Sequence, residues 1–346
     1  MSLTTTARIF RNIILPVIVF LPFTITIFNR LFVRLPESSG LPSASFCPAE
    51  FEGKSPYQWH YLGGLYPTLE TLLCQVITCF AEAVDTERTR YLPYMADFSV
   101  SLWIYAAVPF IEAHRVGSSI PSVLVLIIQL LAQYFTGAAM TPIFWIIYFI
   151  STYKKDLTVI RKGDADSVFF GTVVGYLLPT VAMLAWPVVP TNYVWQLFPL
   201  VIFAAIIPYR LVASKDTYAL AGHSSVSSLY VLIFAASLIT HLGAFAAHNF
   251  NVESFIGDWL ALNPLPVKGS SPAGIFIYIL QWDGLYIFGS LTVAGVWLTA
   301  NSILEGVGII GWFATTYLVL SPGAAVSAIF WWREKKLEGA RKAVRK

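Results

Sequence analysis

Apolar residues in this chain fall in long unbroken blocks, without the alternation of half-buried strands or the narrow stripe of a surface helix. The blocks run about Ile13–Phe32, His60–Ala83, Pro93–Glu112, Ile120–Tyr153, Ser167–Val188, Tyr193–Val212, Val226–Ala247, Gly274–Leu298 and Gly306–Trp332. About 20 consecutive apolar residues are what a helix needs to cross a bilayer, and a soluble core needs no such run. The pattern predicts an all-α polytopic transmembrane bundle of eight or nine spans, with residues 1–346 forming one integral membrane domain. The block Ile120–Tyr153 is too long for one straight crossing and carries GAAMTP in its middle. It reads as one kinked, tilted helix or as two short ones.

The polar segments between blocks set an orientation. A Pro-, Ser- and Gly-rich stretch covers residues 33–56, a basic linker (KKDLTVIRKGDAD) covers about 153–166, and the stretch 248–271 is net acidic. The positive-inside rule places the linker in the cytoplasm and the other two in a lumen, as for a protein of the endoplasmic reticulum. Arg8 and Arg11 before the first block make that block a retained signal anchor. The rule fails at the end, because two crossings after residue 271 would put the basic tail REKKLEGARKAVRK in the lumen. Either one late segment does not cross or the tail breaks the rule.

Composition narrows the class. Charged residues make up 12% of the chain, against about 25% in soluble domains, and mean hydropathy is +0.68. A net charge of +3 is too small to suggest a nucleic-acid partner. Three cysteines are too scattered for a disulfide framework or a zinc site, and Cys74 reads as a small buried hydrophobe.

An ionisable side chain at mid-bilayer costs roughly 2.5–3.5 kcal/mol on insertion scales, so each one needs a reason. Glu70 and Asp283 sit near the middle of their blocks, and Asp97 and Glu112 lie towards opposite ends of theirs. Helical spacing puts Tyr66 on the face of Glu70, and Tyr286 and Ser290 on that of Asp283; Asp97, Ser101, Tyr105 and Glu112 share a stripe. Trp282 flanks Asp283, and Trp103 lies beside Tyr105. His241, Gln129 and Gln133 read as interhelical hydrogen-bonding groups. The bland alternative for every carboxyl is a hydrogen bond to a neighbouring helix.

A carboxyl removed from water keeps its proton at neutral pH, which suits general-acid work. Aromatic faces beside it can stabilise a developing cation. Acid plus water-poor aromatic pocket is what a carbocation cyclisation needs. HExxH, GxSxG, P-loop and dinucleotide fingerprints are absent, as are paired Asp-rich helices for a magnesium diphosphate and a histidine set for iron. No metal or organic cofactor is expected.

The segments ETLLCQ, LWIYAAVPFIEAHR and QWDGLY, with the chain length and span count, give a whole-chain resemblance to the integral membrane terpene cyclases of fungal meroterpenoid pathways, of the ascochlorin/ascofuranone and macrophorin type. The resemblance implies a farnesylated aromatic substrate whose terminal alkene or epoxide is protonated before ring closure. The smaller pyripyropene-type cyclases depend on two membrane carboxylates in separate spans. Their counterparts here are Glu70 and Asp283, with Glu112 as rival to Glu70, although this chain is about a hundred residues longer. Tyr66, Trp103, Tyr105, Trp282, Tyr286 and His241 are the expected pocket. A secondary transporter would also hold carboxylates at mid-membrane, but with inverted repeats and interrupted helices in matching positions. A sterol-isomerase-like enzyme is a third class, in a bundle of about half this span count.

Overall fold

The computed structural model describes residues 9–39, positions 70, 74, 77, 78, 80 and 81, and residues 88–152, 157–186, 188–212, 221–259, 264–270 and 272–344. Among them every regular element is a helix: α1 (Phe10–Ser39), α2 (Arg88–Ser101), α3 (Trp103–Ala113), α4 (Ser122–Phe135), α5 (Gly137–Thr152), α6 (Lys162–Ala185), α7 (Val189–Gln196), α8 (Phe198–Val212), α9 (His223–Ala247), α10 (Val252–Trp259), α11 (Pro272–Thr299), α12 (Ile303–Thr316) and α13 (Pro322–Val344). Among the described residues, five helical stretches are long and apolar enough to cross a membrane: α1, Tyr91–Ala113 within α2–α3, α6, α9 and Gly274–Thr299 within α11. The pair α7–α8, bent by 65° at its break, is a sixth if it counts as one span.

This is fewer than the expected eight or nine, and two stretches account for much of the difference. Ile120–Tyr153 and Gly306–Trp332 fold back on themselves. Helix α4 has 14 residues and α5 has 16, so each is about 21–24 Å long. Ser122 at the start of α4 lies 3.3 Å from His114 Nε2, and Tyr148 near the end of α5 donates to Glu112 at 2.6 Å. Both outer ends of the hairpin therefore meet one end of α3, and its tip is Thr136, in the left-handed region at φ 69°. The second hairpin is α12–α13. Lys336 Nζ reaches Glu305 at 2.7 Å near its open end, Trp312 Nε1 donates to the Ala325 carbonyl at 3.0 Å, and the chain reverses at Ser321, φ 107°.

Both hairpins open towards the same end of the bundle, hereafter the linker end. There the Val116 N–H donates to the Val159 carbonyl and Gly222 N–H to Ile160 O. The tail returns there too, with Lys336 on the Thr299 carbonyl at 3.0 Å. This return removes the misfit in the charge pattern, since the tail and the linker share an end. At the opposite end Arg30 of α1 bonds Tyr278 of α11, and Gln281 bonds the Gly257 carbonyl in α10.

Three boundaries differ from expectation. Helix α1 continues through Ser39, so the loop expected from Val33 begins later; α6 starts at Lys162, inside the expected linker 153–166; and α10 occupies part of 248–271. Of the block His60–Ala83, the described positions are helical, with Phe80 packed on Phe276 and Trp195 and the Ile77 carbonyl taken by Asn192. Cys74 is disulfide-bonded, which corrects its reading as a packing residue.

Local chemistry explains the joints. Pro109 has no N–H for the Tyr105 carbonyl, and Gln129 Nε2 supplies the missing donor to Tyr105 and Ala106 at 3.3 and 3.2 Å. Gln129 is thus interhelical as expected, whereas Gln133 bonds its own helix. A wide π-turn over Val173–Leu177 precedes Pro179, giving the ring room beside the preceding carbonyls. Gly175 lets α6 close on α8, because a Cβ there would lie 2.4 Å from the Ile202 nitrogen. Gly323 does the same where α13 starts against Ser101 and Ser237.

Candidate active site

The first hairpin tip is built around Asp283. A helix beginning inside an apolar bundle leaves its first N–H groups without partners. Helix α5 begins at Gly137, and Asp283 Oδ1 accepts the Ala138 N–H at 2.6 Å, with the Gly137 N–H and Thr136 hydroxyl close by. The carboxyl, 8% exposed, is an N-cap supplied from another helix. The Tyr105 ring packs over Gly137, and its buried hydroxyl has no hydrogen-bond partner. Phe98 packs on Gly284, where a Cβ would come within 3.1 Å. Asp283 thus shares the tip with Tyr105 and Ile287, which pack at Gly137, while Phe98 packs on the neighbouring residue Gly284.

The second tip is built around Asp97 and His241, both fully buried. Here a helix end leaves carbonyls unpaired. His241 Nε2 lies 2.9 Å from the Leu318 carbonyl and Nδ1 lies 2.7 Å from Asp97 Oδ2, with Thr240 Oγ1 at 3.5 Å from Oδ1. A carbonyl only accepts, so Nε2 carries a proton. One further proton then lies in the Asp97–His241 contact, on either partner. Phe98 follows Asp97 and Gly284 follows Asp283, so the Phe98–Gly284 contact links the two carboxyl-bearing helices.

Glu112 belongs to a third arrangement, at the linker end. It accepts from Arg115 Nε at 2.9 Å, from Arg333 at 2.5 and 3.1 Å, and from Tyr148. Arg115 also bonds Glu334 at 2.6 Å, and His223 bonds Glu334 on its other side. Burial pushes the Glu334 carboxyl up, but Arg115 and the His223 and Arg115 hydrogen bonds outweigh it and hold it down to about 2. Two carboxylates against two guanidiniums, all buried, tie α3, α5, α9 and α13 together. Sequence reasoning missed Arg115, Tyr148, His223, Arg333 and Glu334. The available signal was an acid, Glu334, set at the start of a mainly basic tail directly after a Trp-rich apolar run.

The expected aromatic pocket is divided. Trp282 does not join Asp283; its ring carries the Arg30 guanidinium 3.5 Å from the centroid, and Arg30 Nε donates to Tyr278 at 2.7 Å. Tyr286 packs edge-on against Phe23 of α1, and Ser290 bonds the Tyr286 carbonyl within its own helix. Trp103 is buried in the core with its indole N–H unpaired. Glu70 is helical and half-buried, and Tyr66 lies outside the described residues. Among the described residues no three His, Cys, Asp or Glu side chains converge as metal ligands.

Comparison with known proteins gives one family: the model of the CtvD domain matches residues 44–337. No curated protein and no solved structure matches the chain.

Proposed function

The chain belongs to the CtvD domain family, which fits an enzyme of fungal secondary-metabolite biosynthesis, and from that premise we propose a membrane terpene cyclase. In this reading Asp283 protonates the terminal epoxide or alkene of a farnesylated aromatic, and the resulting cation closes rings within the bundle. The observation that carries the reading is the tip of the first hairpin, where the α5 N-terminus already faces the carboxyl that would lose a proton. Donors fixed before reaction stabilise the charge that develops during it. Tyr105, packed over Gly137 at the same tip, and Phe98, packed on the neighbouring Gly284, are the rings assigned to this acid in place of Trp282. Proton transfer to carbon or oxygen needs no metal or organic cofactor.

Roles for the other carboxyls follow from their partners. Asp97 and His241 share a proton and form a second proton station that also holds the second tip. Glu112, whose lone pairs are taken by two arginines and a tyrosine, is a positioning anion. Glu70 remains the candidate to replenish Asp283. The topology that goes with this is one domain over residues 1–346, with six crossings and two re-entrant hairpins among the described residues. The linker end is cytoplasmic and the loops after α1 and α9 are lumenal, in the endoplasmic reticulum.

Interrupted helices also favour a second reading, a secondary transporter. Inverted repeats send their hairpins in from opposite ends, however, and both hairpins here open to the linker end. The test is purified protein incubated with a farnesyl-phenol epoxide, with products read by mass and NMR. Cyclised product that disappears in Asp283→Asn supports the cyclase. Uptake of the same compound into proteoliposomes, with no product formed, sinks it.

A further inference from the structure

The hydroxyl of Tyr105 is a polar group that the fold does not use. Its oxygen is buried, on a side chain 4% exposed, and among the described residues it has no hydrogen-bond partner. Buried polar groups are nearly always paired, and one left alone lowers stability. Phenylalanine fills the same space without that cost, so the hydroxyl calls for a partner from outside the chain.

Packing fixes where this hydroxyl lies. The Tyr105 carbonyl, left open by Pro109, is held by Gln129 Nε2 of α4 at 3.3 Å. The far end of the ring meets the start of α5: a Cβ on Gly137 would lie 3.7 Å from Tyr105 Cζ, the carbon that bears the hydroxyl. Asp283 Oδ1 takes the N–H of the next residue, Ala138, at 2.6 Å. Phenol and carboxyl therefore converge on one turn of backbone from α3 and α11, close enough for the charge of one to act on the other. A phenol, with an ordinary pKa of about 10, keeps its proton at neutral pH and is a donor.

We propose that Tyr105 is a second catalytic residue, donating a hydrogen bond to the oxygen that Asp283 protonates, so that the site selects an epoxide over an alkene. This rests on the cyclase reading of Asp283. An epoxide oxygen has two lone pairs: one takes the Asp283 proton and the other accepts from Tyr105. The bond from that oxygen to the tertiary carbon then breaks, and its electron pair stays on oxygen in the new hydroxyl. The π pair of the next alkene fills the vacancy on carbon, and a proton lost from the last cation balances the one that Asp283 gave. An alkene terminus offers the phenol no acceptor. A site built to bond a substrate oxygen discriminates strongly against the analogue that lacks it.

Full-length protein in detergent is given a farnesyl-phenol epoxide and the matching farnesyl-phenol in separate reactions, as wild type and as Tyr105→Phe. Wild type should prefer the epoxide by about a hundredfold or more in kcat/KM. Tyr105→Phe should lose about a hundredfold in kcat on the epoxide, the effect of removing one fixed donor to a reacting oxygen. Its turnover of the alkene should not fall, and its melting temperature should equal or exceed that of wild type. A tyrosine that serves the fold alone gives another pattern, with lower stability and equal losses on both compounds. Equal use of both compounds by wild type, near-wild-type epoxide turnover by Tyr105→Phe, or a marked drop in its melting temperature overturns the role of Tyr105 and leaves Asp283 as the donor. Wild-type protein that cyclises neither compound overturns the cyclase reading itself.

Discussion

The two hairpin tips meet the same difficulty in opposite ways. A helix that starts in the bundle exposes N–H groups, and the first tip answers with an anion, Asp283, directly on the Ala138 N–H. A helix that ends there exposes carbonyls, and the second tip answers with a donor, His241, on the Leu318 carbonyl, backed by Asp97. One carboxyl touches backbone itself and the other acts through an imidazole. On the proposed reading the first acid is placed for chemistry while the second also holds its tip together, and that distinction is open to direct attack.

The largest expected effect is on rate. Asp283→Asn keeps an oxygen for the Ala138 N–H but has no carboxylic proton, so turnover of a farnesyl-phenol epoxide falls about a thousandfold or more. Expression and melting temperature stay near wild type. Near-normal turnover moves the donor role to Glu70 or Asp97.

Next comes stability. His241→Ala takes the imidazole away from a fully buried carboxyl and from the Leu318 carbonyl together, at a cost of about 3–5 kcal/mol in chemical unfolding. Asp97→Asn still offers His241 a hydrogen bond and costs about 1 kcal/mol. Equal losses in the two variants erase the distinction between direct and relayed support.

The linker-end cluster gives a pH signature that neither tip shares. The folded Glu334 carboxyl titrates at about 2, below its ordinary 4.5. A depressed value stabilises the fold above the ordinary range, and that contribution is lost as pH falls through about 2. Roughly 3 kcal/mol should disappear across this window. Unfolding of Glu334→Gln should be flatter between pH 5 and pH 2, scales taken from ordinary carboxylate titration; a wild-type slope in the variant refutes the assignment.

The smallest effect separates the aromatic rings. Phe98→Leu, at the ring packed on Gly284 next to Asp283, should shift products towards alcohols and partly cyclised alkenes, by about 1 kcal/mol in partitioning. Trp282→Leu should leave the distribution unchanged, because its face already carries Arg30. The reverse pattern returns Trp282 to the pocket.

The helices and their mid-depth acids were legible because both are local: apolar run length and isolated carboxyls need no partner to be noticed. The first tip was half legible, through the GAAMTP break. The second had a readable signature in Ser321–Pro322, where proline opens α13 and the Ser321 hydroxyl accepts the Ala324 N–H at 2.9 Å. Glu112 and Arg115 were visible as residues, but their partners Arg333 and Glu334 lie 221 and 219 positions away. Arg30 on Trp282 was hidden for the same reason. Periodicity carries no information about which distant helix supplies a countercharge.

The cap on the first tip has a consequence for synthesis. Asp283 lies 145 residues after Ala138, so at ribosomal rates of about 5–20 residues per second it is made roughly seven to thirty seconds later. Through that interval the start of α5 has no anion, and a hairpin of two short helices is a poor stop signal for an insertion channel. On the proposed re-entrant topology the hairpin is expected to enter the bilayer late, drawn in by α11, and a chain halted before residue 283 to leave α4–α5 at the membrane surface. Protease protection of stalled nascent chains of increasing length should show that step as an abrupt change once α11 has emerged.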